Sequence, residues 1–363
     1  MRLSSTAKIV VPIVGILVVL GACRSVVQVA EREGDAEGPS ETIRQRVVVV
    51  VHGDASYLYH GRDGTAHQAD EETLREVFAA AREMEGAEVL VFHQRSANRL
   101  LGLVPRDDGS FYHFRGGRLQ HQTTYDQNRD QTLAAEAALV RAHRGPTPDS
   151  SLFTAALYYG HAVPERPRPG YHRSRADVRF GIDNLARGFG RMTEPDSAAF
   201  DAFVLSTCDG GTPSRVAALA PHAHSLLAAP GDLHLSFIDA DLLPAIADAT
   251  EGGGWTQRLA QRAFDRLVGR VTTAVTLAAY DLDRAAPAAR RMAQQVVPDT
   301  STATTGGRHV DCRDVLGPAV DTTGVRVWHR PARFGPGADQ TAHSGWGCLR
   351  SGFAHGETGS EVP

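Results

Sequence analysis

The chain has 363 residues, 42% of them apolar, and a formal charge of −4 from 38 Lys and Arg against 42 Asp and Glu. That length accommodates one large α/β domain with an appendage, or two domains. The acidic balance and the lack of any basic tract argue against a nucleic-acid-binding protein, and no apolar stretch reaches the roughly 20 residues that a membrane-spanning helix needs.

In chain order, Arg2 and Lys8 frame a positive start, residues 9–20 form a short apolar core, and Leu20-Gly21-Ala22-Cys23 closes it. These are the marks of a secretory signal peptide over residues 1–22. The Leu-x-Ala-Cys ending resembles the bacterial lipobox, in which Cys23 is lipidated and becomes the mature N-terminus. The resemblance implies an exported lipoprotein held at the cell envelope by its lipid. With Arg24 rather than aspartate after Cys23, the outer membrane is the expected destination in a two-membrane cell. Residues 23–45, rich in Glu, Gly, Ser and Arg, read as anchor and solvated tether.

Residues 46–298 alternate strand and helix patterns. A β-branched run at 47–51, bounded by Gly53-Asp54, predicts the first strand. Leu74, Val77, Phe78 and Ala81 share one face of a predicted helix over 70–85. A strand follows at 89–92, then a hairpin of 111–114 with 118–122 turning at Gly116-Gly117, and a helix over 130–143. Residues 152–159 form an apolar strand leading into Gly160-His161, and a Pro- and Arg-rich loop occupies 164–177. A helix at 182–189 precedes the strand 202–205, which leads into Ser206-Thr207-Cys208-Asp209-Gly210-Gly211. Thr212-Pro213 has the form of an N-cap and first-turn pair opening a helix over 214–220. A strand at 225–229, helices at 255–268 and 284–296, and a strand near 276–282 complete the pattern. Beyond residue 298 periodicity fades. Residues 299–350 read as a small β-rich or irregular C-terminal module, and 351–363 as a disordered tail.

Alternating strands and helices of this kind predict an α/β fold with a mostly parallel sheet covered on both faces. A histidine and a cysteine at the C-terminal ends of two buried strands then lie in the crevice where open α/β sheets place their chemistry. The thiolate is the reactive form of cysteine, and an imidazole can supply both base and acid. Cysteine usage agrees. Apart from Cys23, the chain holds Cys208, Cys312 and Cys348. Pairing Cys312 with Cys348 in an oxidising compartment leaves Cys208 as a free thiol. The Gly210-Gly211 pair would let a substrate approach the backbone closely. The triplet His52-Gly53-Asp54 has two readings, a polar group at the crevice or the end of the first strand. No His-Glu-x-x-His or Cys-x-x-Cys motif is present, so no metal site is expected.

His161 and Cys208, each after a strand and in that order, together with Phe200-Asp201 before the strand that leads to Cys208, resemble the clostripain-like cysteine peptidases of the caspase, gingipain and legumain clan. The resemblance spans roughly residues 46–315. It implies a caspase-like three-layer α/β/α sandwich, cleavage of protein or peptide substrates through a His161/Cys208 dyad, and an oxyanion site from the backbone N–H groups of Ala162 and Cys208. It also implies cleavage after basic residues, with Asp232, Asp239 and Asp241 as acidic candidates near the pocket. Two positions depart from the family. Ala162 stands where the family has glycine, and Ser206 stands where it has the substrate-binding aspartate. Calcium enters by resemblance only, no cofactor is otherwise expected, and a monomer is expected. Two alternatives remain open. In one, Ser206-x-Cys208-x-Gly210 is the nucleophile elbow of an α/β-hydrolase with His52-Gly53 at an oxyanion strand end. In the other, the chain is an inactive homologue that binds peptides.

Overall fold

β-Branched side chains fit pleated backbone, and a strand buried on both faces reads as a continuous apolar run. The five valines at 47–51 meet both conditions and form the centre of strand β1 (Gln45–Gly53), all of them buried. The computed structural model describes residues 43–350, apart from 62, 98, 101–103, 106, 128–131, 146–151, 194–198, 236–237, 245–251, 297–308 and 336. The signal peptide, Cys23, nearly all of the tether and the C-terminal tail lie outside the described residues.

After β1 comes a small hairpin, β2 (Leu58–His60) with β3 (Ala66–Gln68), then helix α1 (Ala69–Glu83) and strand β4 (Ala87–Arg95). A two-residue ribbon, β5 (Arg99–Leu100) and β6 (Val104–Pro105), leads into the hairpin β7 (Gly109–Arg115) and β8 (Arg118–Tyr125), which turns at Gly116-Gly117. The chain continues through α2 (Ala134–His143), β9 (Phe153–Tyr159), α3 (Ile182–Thr193), β10 (Phe200–Ser206), α4 (Pro213–Leu219), β11 (Ala223–Ala228), α5 (Gly252–Arg270), β12 (Val275–Asp281) and α6 (Leu282–Gln295). Last come β13 (His309–Asp311), α7 (Arg313–Leu316), β14 (Val325–Arg330) and β15 (Gly347–Leu349).

Nine strands form one sheet in the order β14-β12-β11-β10-β9-β1-β4-β7-β8. The inner five are parallel, while β12 and β14 on one edge and β7 and β8 on the other pair antiparallel. Parallel character is therefore confined to the middle, where both faces are covered. Alternation along each inner strand divides the core. Val47, Val49, Val51, Leu157 and Val204 face α1 and α5, whereas Val48, Val50, Tyr158, Phe203 and Leu205 face α2, α3, α4 and α6. The architecture is the three-layer α/β/α sandwich expected from the sequence.

Three expectations need correction. Of the expected module over 299–350, the described residues from His309 onward do not stand apart, because β14 joins the main sheet beside β12 while β13 and β15 pair as a ribbon. A disulfide joins Cys312 to Cys348 and fastens that ribbon. Thr212 does stand before α4 with Pro213 in the first turn, yet its hydroxyl accepts from the Arg215 guanidinium instead of capping the helix. The helix expected over 130–143 begins at Ala134, after Leu133 takes a left-handed conformation (φ 50°).

One buried charge ties the parallel core to its antiparallel edge. Glu88 on β4 is fully buried between its ladder neighbours Arg46 on β1 and Arg115 on β7. Its carboxylate accepts from Arg46 Nε (2.7 Å), His113 Nε2 (3.0 Å) and the Gly145 N–H (2.8 Å). Burial pushes this carboxyl upward, but the bonds from His113, Gly145 and Arg46 outweigh it and hold the group at about 2, from an ordinary 4.5. Removing one member of a buried ion pair strands the other, at a cost of about 3 kcal/mol. Glu88→Ala should lose about that much in urea unfolding at neutral pH. The group's stabilisation is complete above pH 4.5 and is lost as pH falls through about 2, so the gap between wild type and variant should close over that window.

Candidate active site

Ladder pairing brings three chain segments to one edge. Val51 on β1 and Ser206 on β10 both pair with Tyr159 on β9, so β9 and β10 finish on one row while β1 runs on to Gly53 beside β4. The Gly160 N–H donates to the Ser206 carbonyl (3.3 Å) and carries the ladder one step further. His161 and Cys208 each stand two residues beyond that row, on strands about 4.8 Å apart. From β1 the chain moves to β4 on one side and later returns to β9 on the other. The junction of β1 and β9 is therefore the switch point at which such sheets open a crevice. Phe200-Asp201 acts at the opposite end of the strand, where the Asp201 carboxylate accepts the Thr154 N–H (2.7 Å) and fixes the start of β10 against β9.

Cys208 is the free thiol among the described residues, and it is partly buried. Its Sγ lies 3.4 Å from both the N–H and the carbonyl of Leu233, so the loop after β11 holds it. Burial pushes the thiol up; the Leu233 N–H opposes this, nearby Asp209 adds to it, and the result is about 11. At neutral pH the resting group is a thiol.

His161 is held from the loop after β1. Its Nε2 donates to the Ser56 carbonyl (2.8 Å), its ring stacks on Tyr57 (centroids 4.5 Å apart, planes 13° apart), and its backbone N–H donates to Tyr57 Oη (3.3 Å). The bond to Ser56 fixes the tautomer and leaves Nδ1 as the exchangeable nitrogen. No hydrogen bond joins the imidazole to Cys208 among the described residues. No hydrogen bond from the backbone N–H groups of Ala162 and Cys208 is found among the described residues.

Sequence reasoning missed the residue that links the two loops. Arg215, buried in α4, donates through Nε to the Val163 carbonyl (2.7 Å) and through Nη1 to the Asp209 carbonyl (2.7 Å). One guanidinium thereby grips the chain two residues after His161 and one residue after Cys208. Nothing in the spacing of Arg215 signals this. It follows from α4 lying beneath both strand ends.

Beside Cys208, Asp209 is left-handed (φ 58°), and its carboxylate lies 3.0 Å from His309 Nδ1 on β13. The strained residue of this strand-to-helix turn is thus Asp209 and not Cys208. The strand ending in His52-Gly53 is also separated from the Cys208 strand by β9. Both facts depart from a nucleophile elbow. The glycines likewise serve packing instead of substrate access. A Cβ on Gly211 would stand 2.2 Å from Tyr280 Oη and 2.9 Å from Pro230 Cα. Of the substrate-pocket candidates, Ser206 is fully buried, with Oγ accepting the Ile238 N–H (2.9 Å). Asp239 is buried against Arg270 (2.6 Å) and Arg266 (3.2 Å), which neutralise it, and Asp232 is exposed. Neither Ser206 nor Asp239 is placed to meet a basic side chain.

No protein-family model matches the sequence, and no curated protein matches it. The fold is similar to that of solved cysteine proteases. An inactive zymogen C11 protease from Parabacteroides distasonis is 12% identical over 70% of this chain, with a TM-score of 0.47, and this chain spans 65% of its length. A secreted C11 cysteine protease from Bacteroides thetaiotaomicron, in complex with an irreversible peptide inhibitor, is 12% identical over 69% of this chain and 68% of its own, with a TM-score of 0.49. A structure of a secreted C11 cysteine protease from Bacteroides thetaiotaomicron called iotapain is 9% identical over 70% and 69%, at 0.49. All three are C11 proteases. At such identities and TM-scores they carry no argument about this chain's chemistry, which rests on its own residues.

The raised thiol yields a direct test. Alkylation of Cys208 by iodoacetamide, followed by mass spectrometry of its peptide, should be slow at pH 7 and accelerate toward pH 11. Fast labelling at neutral pH would show that the thiolate is stabilised in the free protein.

Proposed function

We propose that the protein is a cysteine endopeptidase in which His161 and Cys208 act as the dyad. The observation that carries this reading is the shared ladder position of the two residues, each two steps beyond the Tyr159–Ser206 pair on adjacent parallel strands. Because the resting thiol is neutral, the nucleophile is generated on substrate binding. Catalytic hydrogen bonds that are absent in a free enzyme form in its complex.

In the reaction, His161 Nδ1 takes the Cys208 proton and Sγ attacks the scissile carbonyl carbon. The carbonyl oxygen becomes an oxyanion facing the N–H groups of Ala162 and Cys208, as such intermediates require. The imidazolium is steadied by its Nε2–H bond to Ser56 and passes its other proton to the leaving amine, which departs as the tetrahedral centre collapses to a thioester. His161 then removes a proton from water, which attacks the thioester and releases the acid product and the thiol. A preference for cleavage after basic residues is assigned to Asp232, which is exposed; Asp239 pairs with Arg270 and Asp241 with Arg266.

Cys208→Ala should abolish hydrolysis of a fluorogenic peptide panel. His161→Ala should lower kcat by roughly 100- to 10,000-fold, the usual contribution of a positioned acid–base group. Undiminished activity in either variant would end the dyad reading. Wild-type protein that binds the peptides without cleaving them would establish the inactive homologue instead.

Envelope anchoring belongs to the same proposal and rests on Leu20-Gly21-Ala22-Cys23. Cys23→Ala should shift the protein from the membrane fraction to the soluble fraction. Mass spectrometry that finds unmodified Cys23 within a mature chain would refute the anchor.

A further inference from the structure

Behind His161 lies a chain of buried polar groups that the proposed reaction does not itself use. Tyr57 is its hub: almost fully buried, with its ring under the imidazole and its oxygen accepting the His161 backbone N–H. That oxygen also lies 2.6 Å from His52 Nδ1. His52 Nε2 in turn lies 3.1 Å from Nδ1 of His172. Hydrogen bonds thus link the His161 main chain through Tyr57 and His52 to His172. His172 lies on the loop that follows His161. The same loop is fastened to the end of β1 by Asp54, whose carboxylate accepts from the Ser174 N–H (2.9 Å) and hydroxyl (2.6 Å).

The charge of this chain does not change across ordinary pH. Burial, then the proximity of His172, holds His52 well below the usual imidazole value, and burial with Arg175 holds His172 at about 3. The other titratable groups near them are already engaged: His161 with Ser56, His93 with Asp70, Asp54 with Ser174, and Arg175 with Gln127. Both imidazoles therefore remain neutral, and His52 serves as a fixed hydrogen-bond partner of the phenol instead of a competing acid.

We propose that His52 is a positioning residue for His161, acting through Tyr57. It orients the phenol that supports the imidazole from below and secures its backbone, so that the ring is held with Nε2 on Ser56 and Nδ1 free for the proton of Cys208. The inference rests on the dyad reading above and deepens it. It also resolves the two readings of His52-Gly53-Asp54, since His52 supports the site while Asp54 ties down the adjoining loop.

The test uses the full chain and three substitutions, followed by kcat, KM and the pH dependence of kcat on a cleaved peptide. His52→Leu removes the imidazole side of the Tyr57–His52 hydrogen bond. Tyr57→Phe removes the hydroxyl and keeps the stack. His52→Asn places an amide near the position of Nδ1 that can hydrogen-bond the phenol again. Expected is a fall in kcat of roughly tenfold for His52→Leu and Tyr57→Phe, less than the roughly 100-fold or more of a positioned acid–base group because His161 itself remains. KM should stay nearly constant, the acidic limb of the pH profile should shift, and His52→Asn should recover most of the loss. An unchanged kcat and pH profile in Tyr57→Phe and in folded His52→Leu, while Cys208→Ala and His161→Ala remain dead, would overturn the inference and leave the dyad standing. A His52→Asn variant as impaired as His52→Leu would also overturn it. Activity persisting in His161→Ala would instead remove the dyad reading beneath it.

Discussion

The parallel ladder joining β1, β9 and β10 is the constraint on which the rest of the site depends. Hydrogen bonding between neighbouring strands allows no continuous sliding, and a one-residue slip would turn every side chain to the other face. Because Val51, Tyr159 and Ser206 share a row, the residues beyond them emerge at matched heights along the sheet edge. The apolar alternation that fills both faces enforces this register. Val47, Val49 and Val51 must face α1 and α5 while Val48 and Val50 face the opposite layer. Core packing thus determines the level at which the histidine and the cysteine leave the sheet.

Past the last ladder bond the chain has no regular partners, and polar side chains take over. A buried polar group without a partner costs about 1–3 kcal/mol. The loops are accordingly bound by groups that satisfy several atoms at once. Arg215 serves the Val163 and Asp209 carbonyls, Asp54 serves the Ser174 backbone and hydroxyl, and Tyr57 joins His52 to the His161 backbone. These bonds come from α4, from the end of β1 and from the loop after β9, so three elements must be docked before the edge takes its final form.

The C-terminal strands brace the cysteine side. Gly347 on β15 donates its N–H to the Gly211 carbonyl (3.2 Å), Tyr280 Oη donates to both Gly211 and Gly345, and His309 meets Asp209. A Cβ on Gly347 would stand 1.7 Å from the Pro230 carbonyl oxygen, so only glycine allows this approach. With Cys312 and Cys348 bonded, the ribbon that contacts the turn after Cys208 is closed on itself. What reads in sequence as a fading of periodicity is a set of short segments that gain their order from the sheet edge they cover.

Local pattern determined much of this protein. The valine run, the apolar stretches before His161 and Cys208, the amphipathic helices and the glycine turn between β7 and β8 all carry their periodicities within a few residues, so strands, helices and the strand ends that carry His161 and Cys208 were legible from the chain alone. The pairing of Cys312 with Cys348 is the expectation once Cys23 is set aside for the lipobox and Cys208 as the free thiol. Tertiary structure alone decided the rest, because it depends on contacts between residues far apart in sequence. His52 meets His172 across 120 positions, Arg215 reaches Val163 across 52, and β14 finds its place beside β12 although its own sequence shows no strong alternation. The fate of the acidic candidates is of the same kind. Asp239 reads as an available charge in sequence, but α5 presents Arg266 and Arg270 to it, and a carboxylate so paired is closed to a substrate. Periodicity reports which face a residue prefers. Only the packed layers determine what that face meets.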